Sequence, residues 1–226
     1  MRSFLIFILF LVLSACSEKP ISEQNPDELY KEAERDTQSD RYELALEKYR
    51  MIKNKFPYSR YANESHLRIA DVYFLQELYA EAAAAYEIFI ELHPKHEKVR
   101  YALYRVGESH EADAPSKVAR DLSALEKAMI AYREFIKKFP NDPKTQDAEE
   151  KVKLIQTKLA QKEFYIANYY FGQDEYISAR SRLKKIIKLY PETDLALKAR
   201  EKLIRVEEKI IQKGKESNNE PAATRE

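Results

Sequence analysis

The segment from Tyr176 to Tyr190 separates its apolar residues from its basic residues with the period of an α-helix. At 100° per residue, Lys184, Lys185 and Lys188 fall on one face. The opposite face carries five apolar residues: Ala179, Leu183, Ile186, Ile187 and Tyr190. This pattern predicts an amphipathic helix that packs its apolar face on a core.

A motif that ends in proline recurs four times along the chain. An aromatic residue or a histidine precedes each proline, a tyrosine or leucine lies eight residues before it, and an alanine lies four residues further back. Because proline lacks an amide proton and clashes with the preceding turn, each motif predicts the end of a helix. The four copies are Ala45, Tyr49 and Pro57; Ala82, Tyr86 and Pro94; Ala128, Tyr132 and Pro140; and Ala179, Leu183 and Pro191.

Small residues also recur in the segments before these helices. A small residue allows the two helices of a hairpin to approach each other closely. The alanine of the second helix likewise leaves room for a bulky side chain that packs against it. The proline motifs and the small residues together resemble the tetratricopeptide repeat (TPR) pattern. In that pattern hairpins stack, because no hairpin buries its apolar face alone. The small residues are Ala33, Ala70, Gly107 and Ala167, followed three positions later by Asp36, Tyr73, His110 and Tyr170.

These patterns predict an all-α, TPR-type solenoid of about four to five helical hairpins over residues 26–212, with a C-terminal capping helix. The prolines are 37, 46 and 51 residues apart, so the array is irregular. Pro115 interrupts a loop in the third repeat, and Asp121 is suited to cap the next helix. We predict a long helix from about Thr145 to Phe171 and a last helix from Asp194 to Gln212.

Gly214 follows that last helix and is expected to stop it. The tail over residues 213–226 has almost no apolar side chains, and such segments cannot bury enough surface to fold. We therefore predict that this tail is disordered.

The first fifteen residues have the features of an export signal. Arg2 precedes an apolar run from Phe4 to Leu13, which is too short to span a bilayer as a helix. The next residues, Ser14, Ala15 and Cys16, complete a tetrapeptide that resembles the lipobox of bacterial lipoproteins. We predict a signal peptide over 1–15, lipidation of Cys16 and a linker over 16–25; a free thiol is the alternative.

Composition restricts the classes of function. The chain has 39 Lys and Arg against 38 Asp and Glu, and loss of the signal removes Arg2, so no excess positive charge favours nucleic acid as a partner. Cys16 is the sole cysteine, which excludes a disulfide within one molecule and a cysteine nucleophile in the body. Ser17 directly follows the predicted lipidated cysteine. Aspartate at this position would favour the inner membrane, so the serine indicates the outer membrane.

Motifs for catalysis or cofactor binding are missing from the sequence. It has no GxGxxG, no phosphate-binding loop and no HExxH. His93 and His96 flank Pro94, where a metal pair is one interpretation and a polar turn between repeats is the other. We therefore predict neither an enzyme nor a cofactor or metal site.

Aromatic and charged residues of the first helices occupy the positions that line the groove of a TPR array. Peptide recognition uses aromatic side chains beside arginine, whereas core packing is the alternative interpretation of each aromatic alone. The predicted peptide groove consists of Tyr30, Leu67, Phe74, Tyr101, Tyr104 and Arg105, with Asp71 and Glu108 mapped to the same positions.

The basic face of the helix over 176–190 is a second candidate binding surface. No acidic residue lies between Tyr176 and Tyr190, so like charges repel there, and an acidic partner would relieve the repulsion. The alternative is that the cations only complement the helix dipole. The predicted contacts are Arg180, Arg182 and Lys185.

The mature chain resembles the BamD/ComL family, the TPR lipoprotein subunit of the outer-membrane β-barrel assembly (BAM) machinery. The resemblance includes the lipobox, NPDELY at 25–30, KFPYSRY at 55–61 and HPKHEKVRYALYRVGES at 93–109. It implies a lipid anchor in the outer membrane on the periplasmic side, N-terminal repeats that receive unfolded outer-membrane proteins, and C-terminal repeats that hold BamA. Accessory BAM lipoproteins are further implied partners, although a single final helix replaces a full last repeat here.

Two other classes of protein stay open from the sequence. One is another envelope TPR scaffold, such as a pilotin or a coordinator of the Tol-Pal system, whose repeats would look alike. The other is a periplasmic enzyme or solute-binding protein with helical repeats, which requires a pocket of convergent polar groups. Copurification of BamA separates the first class from the BAM subunit.

Overall fold

A computed structural model describes residues 25–117 and 119–219 of the chain. Within these residues the secondary structure is helical, which confirms the all-α prediction. The predicted signal peptide, Cys16, most of the linker and the end of the tail lie outside the described residues. The helices are α1 (Pro26–Gln38), α2 (Tyr42–Lys55), α3 (Arg60–Leu75), α4 (Tyr79–Leu92), α5 (Val99–Asp113), α6 (Ser123–Lys138), α7 (Thr145–Gly172), α8 (Tyr176–Leu189) and α9 (Asp194–Asn219).

The second helix of each hairpin ends where the proline motifs predict. Helices α2, α4, α6 and α8 stop at a capping residue that directly precedes the proline: Phe56, His93, Phe139 and Tyr190. The amide of each capping residue still donates to the carbonyl four positions earlier, at 2.8 to 3.0 Å. The following proline has no amide to continue the series, so the helix stops.

The turns inside three hairpins share a left-handed residue that is not glycine. Asp40, Glu77 and Asp174 have φ angles of 57°, 60° and 58°. In each turn the amide of the next residue donates to a carbonyl five positions earlier, as Leu78 does to Tyr73 at 3.0 Å. This is the Schellman arrangement, which normally places glycine at the left-handed position.

The described chain divides into two compact units. The first extends to Val72 and the second begins at Tyr73. In the first unit, Ala33 and Ala45 are fully buried and Tyr49 is 1% exposed. The second unit has one continuous core in which Tyr132 and Leu183 are fully buried. The tyrosine or leucine of each TPR motif is therefore a core residue, as predicted.

Gly107 is at a point of close contact between two helices of the second unit. A Cβ atom at this position would lie 2.6 Å from Cε1 of Tyr132, well inside van der Waals contact. The prediction that a small residue here admits a bulky side chain from the next helix is confirmed.

The C-terminal helix is longer than predicted. Helix α9 passes through Gly214 and ends at Asn219, so the prediction that Gly214 stops the helix is wrong. No atom lies within 4 Å of a Cβ built at Gly214, and a glycine in an exposed helix costs only about 1 kcal/mol relative to alanine. The disordered tail therefore cannot begin at residue 213.

Among the residues that the structure describes, no helix is both long enough and apolar enough to cross a membrane.

Candidate binding cleft and charged helix

A cleft with a volume of about 540 Å³ lies beside α5 in the second unit. We call it the aromatic cleft. It is lined by Arg100, Tyr101, Tyr104, Arg105 and Glu108 of α5, Phe135 of α6, and Asp142, Pro143 and Lys144 before α7. Four of the predicted groove residues, Phe74, Tyr101, Tyr104 and Arg105, come together in or next to this cleft.

Arg105 organises one wall of the aromatic cleft. Its guanidinium carbon lies 3.7 Å from the ring centre of Phe74, and its Nε donates to the Tyr86 hydroxyl at 3.0 Å. Its Nη1 binds Oε2 of Glu108 at 3.0 Å. Burial alone lowers the pKa of Arg105, but Tyr86, Tyr101 and Glu108 more than compensate and raise it. The cleft therefore holds a fixed positive charge stacked on an aromatic ring.

Tyr101 is the accessible aromatic residue of this wall. Its side chain is 40% exposed, and its ring packs edge-on against Tyr86 with the centroids 6.3 Å apart. An exposed aromatic ring beside a fixed guanidinium suits recognition of an aromatic or carboxylate-bearing peptide. Tyr101 and Arg105 thus lie side by side at the aromatic cleft, and their role in peptide binding stays a prediction.

Tyr104 is a core residue rather than an open groove residue. It is only 2% exposed, and its ring packs edge-on against Tyr132 and Phe135 at centroid distances of 5.6 and 5.3 Å. Its hydroxyl donates to Asp147 of α7, and the Lys144 ammonium lies 4.0 Å from its ring centre. The core-packing alternative therefore describes the Tyr104 ring, which also forms the floor of the cleft.

Tyr30 and Leu67 belong to the first unit and are packing residues there. Leu67 is 1% exposed and Tyr30 is 8% exposed, so an open groove wall is wrong for both. Tyr30 stacks on Tyr61 with the centroids 4.7 Å apart and meets Tyr49 edge-on at 5.6 Å. Core packing, the alternative interpretation of these positions, therefore describes both side chains.

Arg68 is a residue that the sequence reasoning missed. Its Nε donates to the Tyr30 hydroxyl at 3.1 Å and its Nη1 binds Asp71 at 3.1 Å. Arg105 repeats this arrangement 37 residues later, with a tyrosine hydroxyl and an acidic residue three positions on. The first two prolines are also 37 residues apart, so the repeat spacing itself was the available signal.

The basic face of α8 has acidic partners within the chain. Arg182 and Lys185 both bind Glu163 of α7, whose side chain is 7% exposed. Arg180 and Lys184 approach Glu207 of α9 at 3.4 and 3.6 Å. The repulsion that the sequence predicts within α8 is therefore relieved inside the chain, by carboxylates from α7 and α9, and the contact with an acidic partner stays a prediction.

The two histidines at the second proline do not form part of a larger ligand set. The His93 and His96 rings are 6.4 Å apart, and both pack against Phe89. In residues 25–117 and 119–219 there is no group of three or more His, Cys, Asp and Glu side chains arranged to hold a metal ion.

The helical hairpins, with the TPR motif residues in their cores, define an all-α protein of the TPR type. Residues 22–224 match the YfiO family, described as an outer membrane lipoprotein, and the chain belongs to this family. It is 32% identical over 202 residues to the outer membrane protein assembly factor BamD of Neisseria gonorrhoeae, covering 82% of this chain and 76% of that protein. It is 27% identical over 201 residues to BamD of Vibrio cholerae, covering 84% and 83%.

Among solved structures, a kinesin light chain protein with TPR-like repeats from Podosopora anserina matches 86% of this chain and 92% of its own. The sequence identity is 13% and the TM-score is 0.41.

Proposed function

We propose that this protein is a non-catalytic scaffold of the BAM complex, held at the periplasmic side of the outer membrane by acyl chains on Cys16. The observation that carries the proposal is the family match over residues 22–224, together with relatives named as outer membrane protein assembly factors. Several acyl chains on one cysteine give firm membrane attachment, whereas one chain gives only marginal binding.

The aromatic cleft is the proposed site for unfolded outer-membrane proteins. A signal strand with an aromatic side chain would pack on Tyr101, and a carboxylate or backbone carbonyl would accept from Arg105. The stacking of Arg105 on Phe74 holds the guanidinium in place before a ligand arrives, which limits the entropy lost on binding.

The helices near the C-terminus are the proposed contact for the periplasmic domains of BamA. Arg182 and Lys185 are 37% and 39% exposed, so each retains donors toward solvent while it binds Glu163. Arg180 is 33% exposed beside Glu207. In this proposal the three side chains bridge the internal carboxylates and an acidic patch on BamA. Other BAM lipoproteins complete the set of proposed partners.

The test is copurification from detergent-solubilised membranes with a C-terminally tagged chain, followed by mass spectrometry. We expect BamA as the main partner, and Cys16→Ser should reduce the membrane-bound fraction without changing the fold of the body. Recovery of pilus or Tol-Pal proteins without BamA would contradict the proposal and favour another envelope scaffold.

The substrate site is tested by the same chain with Tyr101→Ala, using fluorescence anisotropy of a labelled C-terminal peptide from an outer-membrane protein. Binding should weaken by roughly 1 to 2 kcal/mol, as for a truncated hot spot. Tyr165→Ala on α7 is the matched control, because Tyr165 is 57% exposed and lies outside the cleft. Equal binding by both variants would remove the cleft from the proposal.

A further inference from the structure

A second cleft lies on the opposite side of α5 from the aromatic cleft. At 100° per residue, Tyr101 and Arg105 fall on one side of α5, while Leu103, Val106 and His110 fall on the other. The space between α4, α5 and α6 on this other side has a volume of about 480 Å³. We call it the apolar cleft, and it shares no lining residue with the aromatic cleft.

The floor and mouth of the apolar cleft are aliphatic. Leu103 and Val106 form the floor and are 4% and 3% exposed, with Ala131 and Ile90 beside them. Ile130 stands at the mouth and is 63% exposed. The volume falls within the range of about 300 to 1,000 Å³ that binding pockets usually have. The cleft therefore accepts a few aliphatic side chains of a partner.

The rim of the apolar cleft is mainly acidic. Glu87 and Glu91 line it from α4 and Glu134 lines it from α6, against Lys127 and His110. Glu87 is 59% exposed and 3.6 Å from His110, whereas Glu134 is 45% exposed and forms a salt bridge with Lys138 at 2.7 Å. Three solvent-exposed carboxylates thus face two lysines, Lys127 and Lys138, and the excess of negative charge lies on the α4 side at Glu87 and Glu91, so a partner with basic residues on that side complements the rim.

We propose that the apolar cleft binds a basic amphipathic helix from a partner protein. Two or more aliphatic side chains at i and i+4 of that helix enter between α4 and α6, and its lysine or arginine residues meet Glu87, Glu91 and Glu134. A partner helix that lies along α4 and α6 can contact both the apolar floor and the acidic rim. This site is additional to the proposed function and independent of it.

A synthetic peptide of leucine and lysine, patterned as an amphipathic helix and labelled with fluorescein, is the probe for the full chain. Ile130→Glu should weaken its binding about tenfold, because the substitution places a carboxylate at the apolar mouth. Ile88→Glu is the matched control, since Ile88 is also on an exposed helix face, 53% exposed, but does not line the cleft. A peptide with glutamate in place of lysine should bind at least tenfold more weakly than the probe.

Equal binding of the lysine peptide to Ile130→Glu and to the unmodified chain would overturn the proposal. An equal loss in Ile88→Glu, or a loss in Tyr101→Ala, would also overturn it, because binding would then not depend on this cleft. Circular dichroism of each variant checks that the helices are intact, and both substituted isoleucines are exposed enough to leave the core unchanged.

The native occupant is tested with a photo-crosslinking phenylalanine analogue at position 130 in the membrane-attached protein. The crosslinked segment, read by mass spectrometry, should carry lysine or arginine and aliphatic residues at helical spacing. An acidic segment, a second copy of this chain, a lipid adduct or no crosslinked protein would each overturn the proposal.

Discussion

Arg182 of α8 forms a salt bridge with Glu163 of α7, at 3.1 Å between Nη1 and Oε2. The second carboxylate oxygen binds the Lys185 ammonium. The Glu163 side chain is 7% exposed, so little water reaches it and the two cations provide most of its compensation. A buried carboxylate that loses its partners is strongly destabilising, and this asymmetry leads to the first prediction.

Replacing Arg182 and Lys185 together with alanine should lower the free energy of unfolding by about 3 kcal/mol, because an uncompensated carboxylate stays buried. Glu163→Gln should cost less, about 1 to 2 kcal/mol, since both cations then reach water. Urea unfolding measures the difference. The control is Lys188→Ala, an exposed residue of the same helix that should change stability by less than about 0.5 kcal/mol. A double variant as stable as this control would contradict the prediction.

The two roles of Tyr104, ring packing and hydrogen bonding, can be separated. Tyr104→Ala should destabilise the chain by about 3 to 4 kcal/mol, because it empties the space between Tyr132 and Phe135. Tyr104→Phe keeps the ring and loses only the hydrogen bond to Asp147, which we expect to cost about 1 kcal/mol. Thermal unfolding followed by circular dichroism distinguishes them, and similar losses for both variants would assign the main contribution to the hydroxyl.

The same substitution at two helical glycines should have opposite effects. Gly107→Ala places a methyl group 2.6 Å from the Tyr132 ring and should cost about 1 to 3 kcal/mol, despite the better helix propensity of alanine. Gly214→Ala meets no atom within 4 Å and should stabilise α9 by up to about 1 kcal/mol. Differential scanning calorimetry measures both. A stabilising Gly107→Ala would mean that Tyr132 moves aside freely.

Glu77 tests the left-handed turn between α3 and α4. With φ at 60°, a glutamate is strained by about 1 to 2 kcal/mol, and Glu77→Gly relieves this while it adds freedom to the unfolded chain. We expect a net gain of about 0.5 kcal/mol in urea unfolding. Glu81→Gly in the first turn of α4 is the control and should lose about 1 kcal/mol. Destabilisation by both changes would show that the Glu77 side chain makes a favourable contact.

Asp36 should give the first unit a pH-dependent stability. Burial alone raises its pKa, but hydrogen bonds from Lys48 and Arg41 more than compensate, so the pKa lies below 3.8 in the folded protein. A carboxyl with a lowered folded pKa stabilises the fold above its unfolded pKa, and that contribution is lost as the pH falls through the folded pKa.

The test for Asp36 is urea unfolding of the unmodified protein and of the Asp36→Asn variant, from pH 7 down to the lowest pH at which both are folded. The difference in stability should be constant above about pH 5 and should shrink below pH 3.8. A difference for Asp36→Asn that stays constant throughout the acid range would contradict the assigned role.

The helices were predictable because their signals are local. The spacing of Ala128, Tyr132 and Pro140 predicts two buried residues and the end of a helix within one segment. The structure confirms this, because Ala128 and Tyr132 are buried and α6 ends just before Pro140. The long helix predicted from Thr145 to Phe171 is observed as α7, Thr145–Gly172. Signals of this kind depend on propensity, periodicity and capping, all of which act over a few residues.

The site was less predictable because it depends on contacts between helices. Tyr101 and Tyr104 are one turn apart on the same helix, yet only Tyr104 is covered, since Tyr132 and Phe135 of α6, the second helix of the same hairpin, pack against it. Glu163 is 19 residues from Arg182 in the chain, and no local pattern pairs them. The side chain that covers a residue, or that neutralises it, comes from a part of the sequence that a helical wheel does not include.

The left-handed turns at Asp40, Glu77 and Asp174 also affect the chain before it folds. In the unfolded chain, a glycine at each turn would adopt positive and negative φ angles about equally, whereas these acidic residues adopt mainly negative φ angles. Less backbone entropy is therefore lost when each hairpin closes, which counteracts part of the strain in the folded turn. With only three glycines in 226 residues, the unfolded ensemble of this chain is narrower than that of a repeat protein whose turns use glycine.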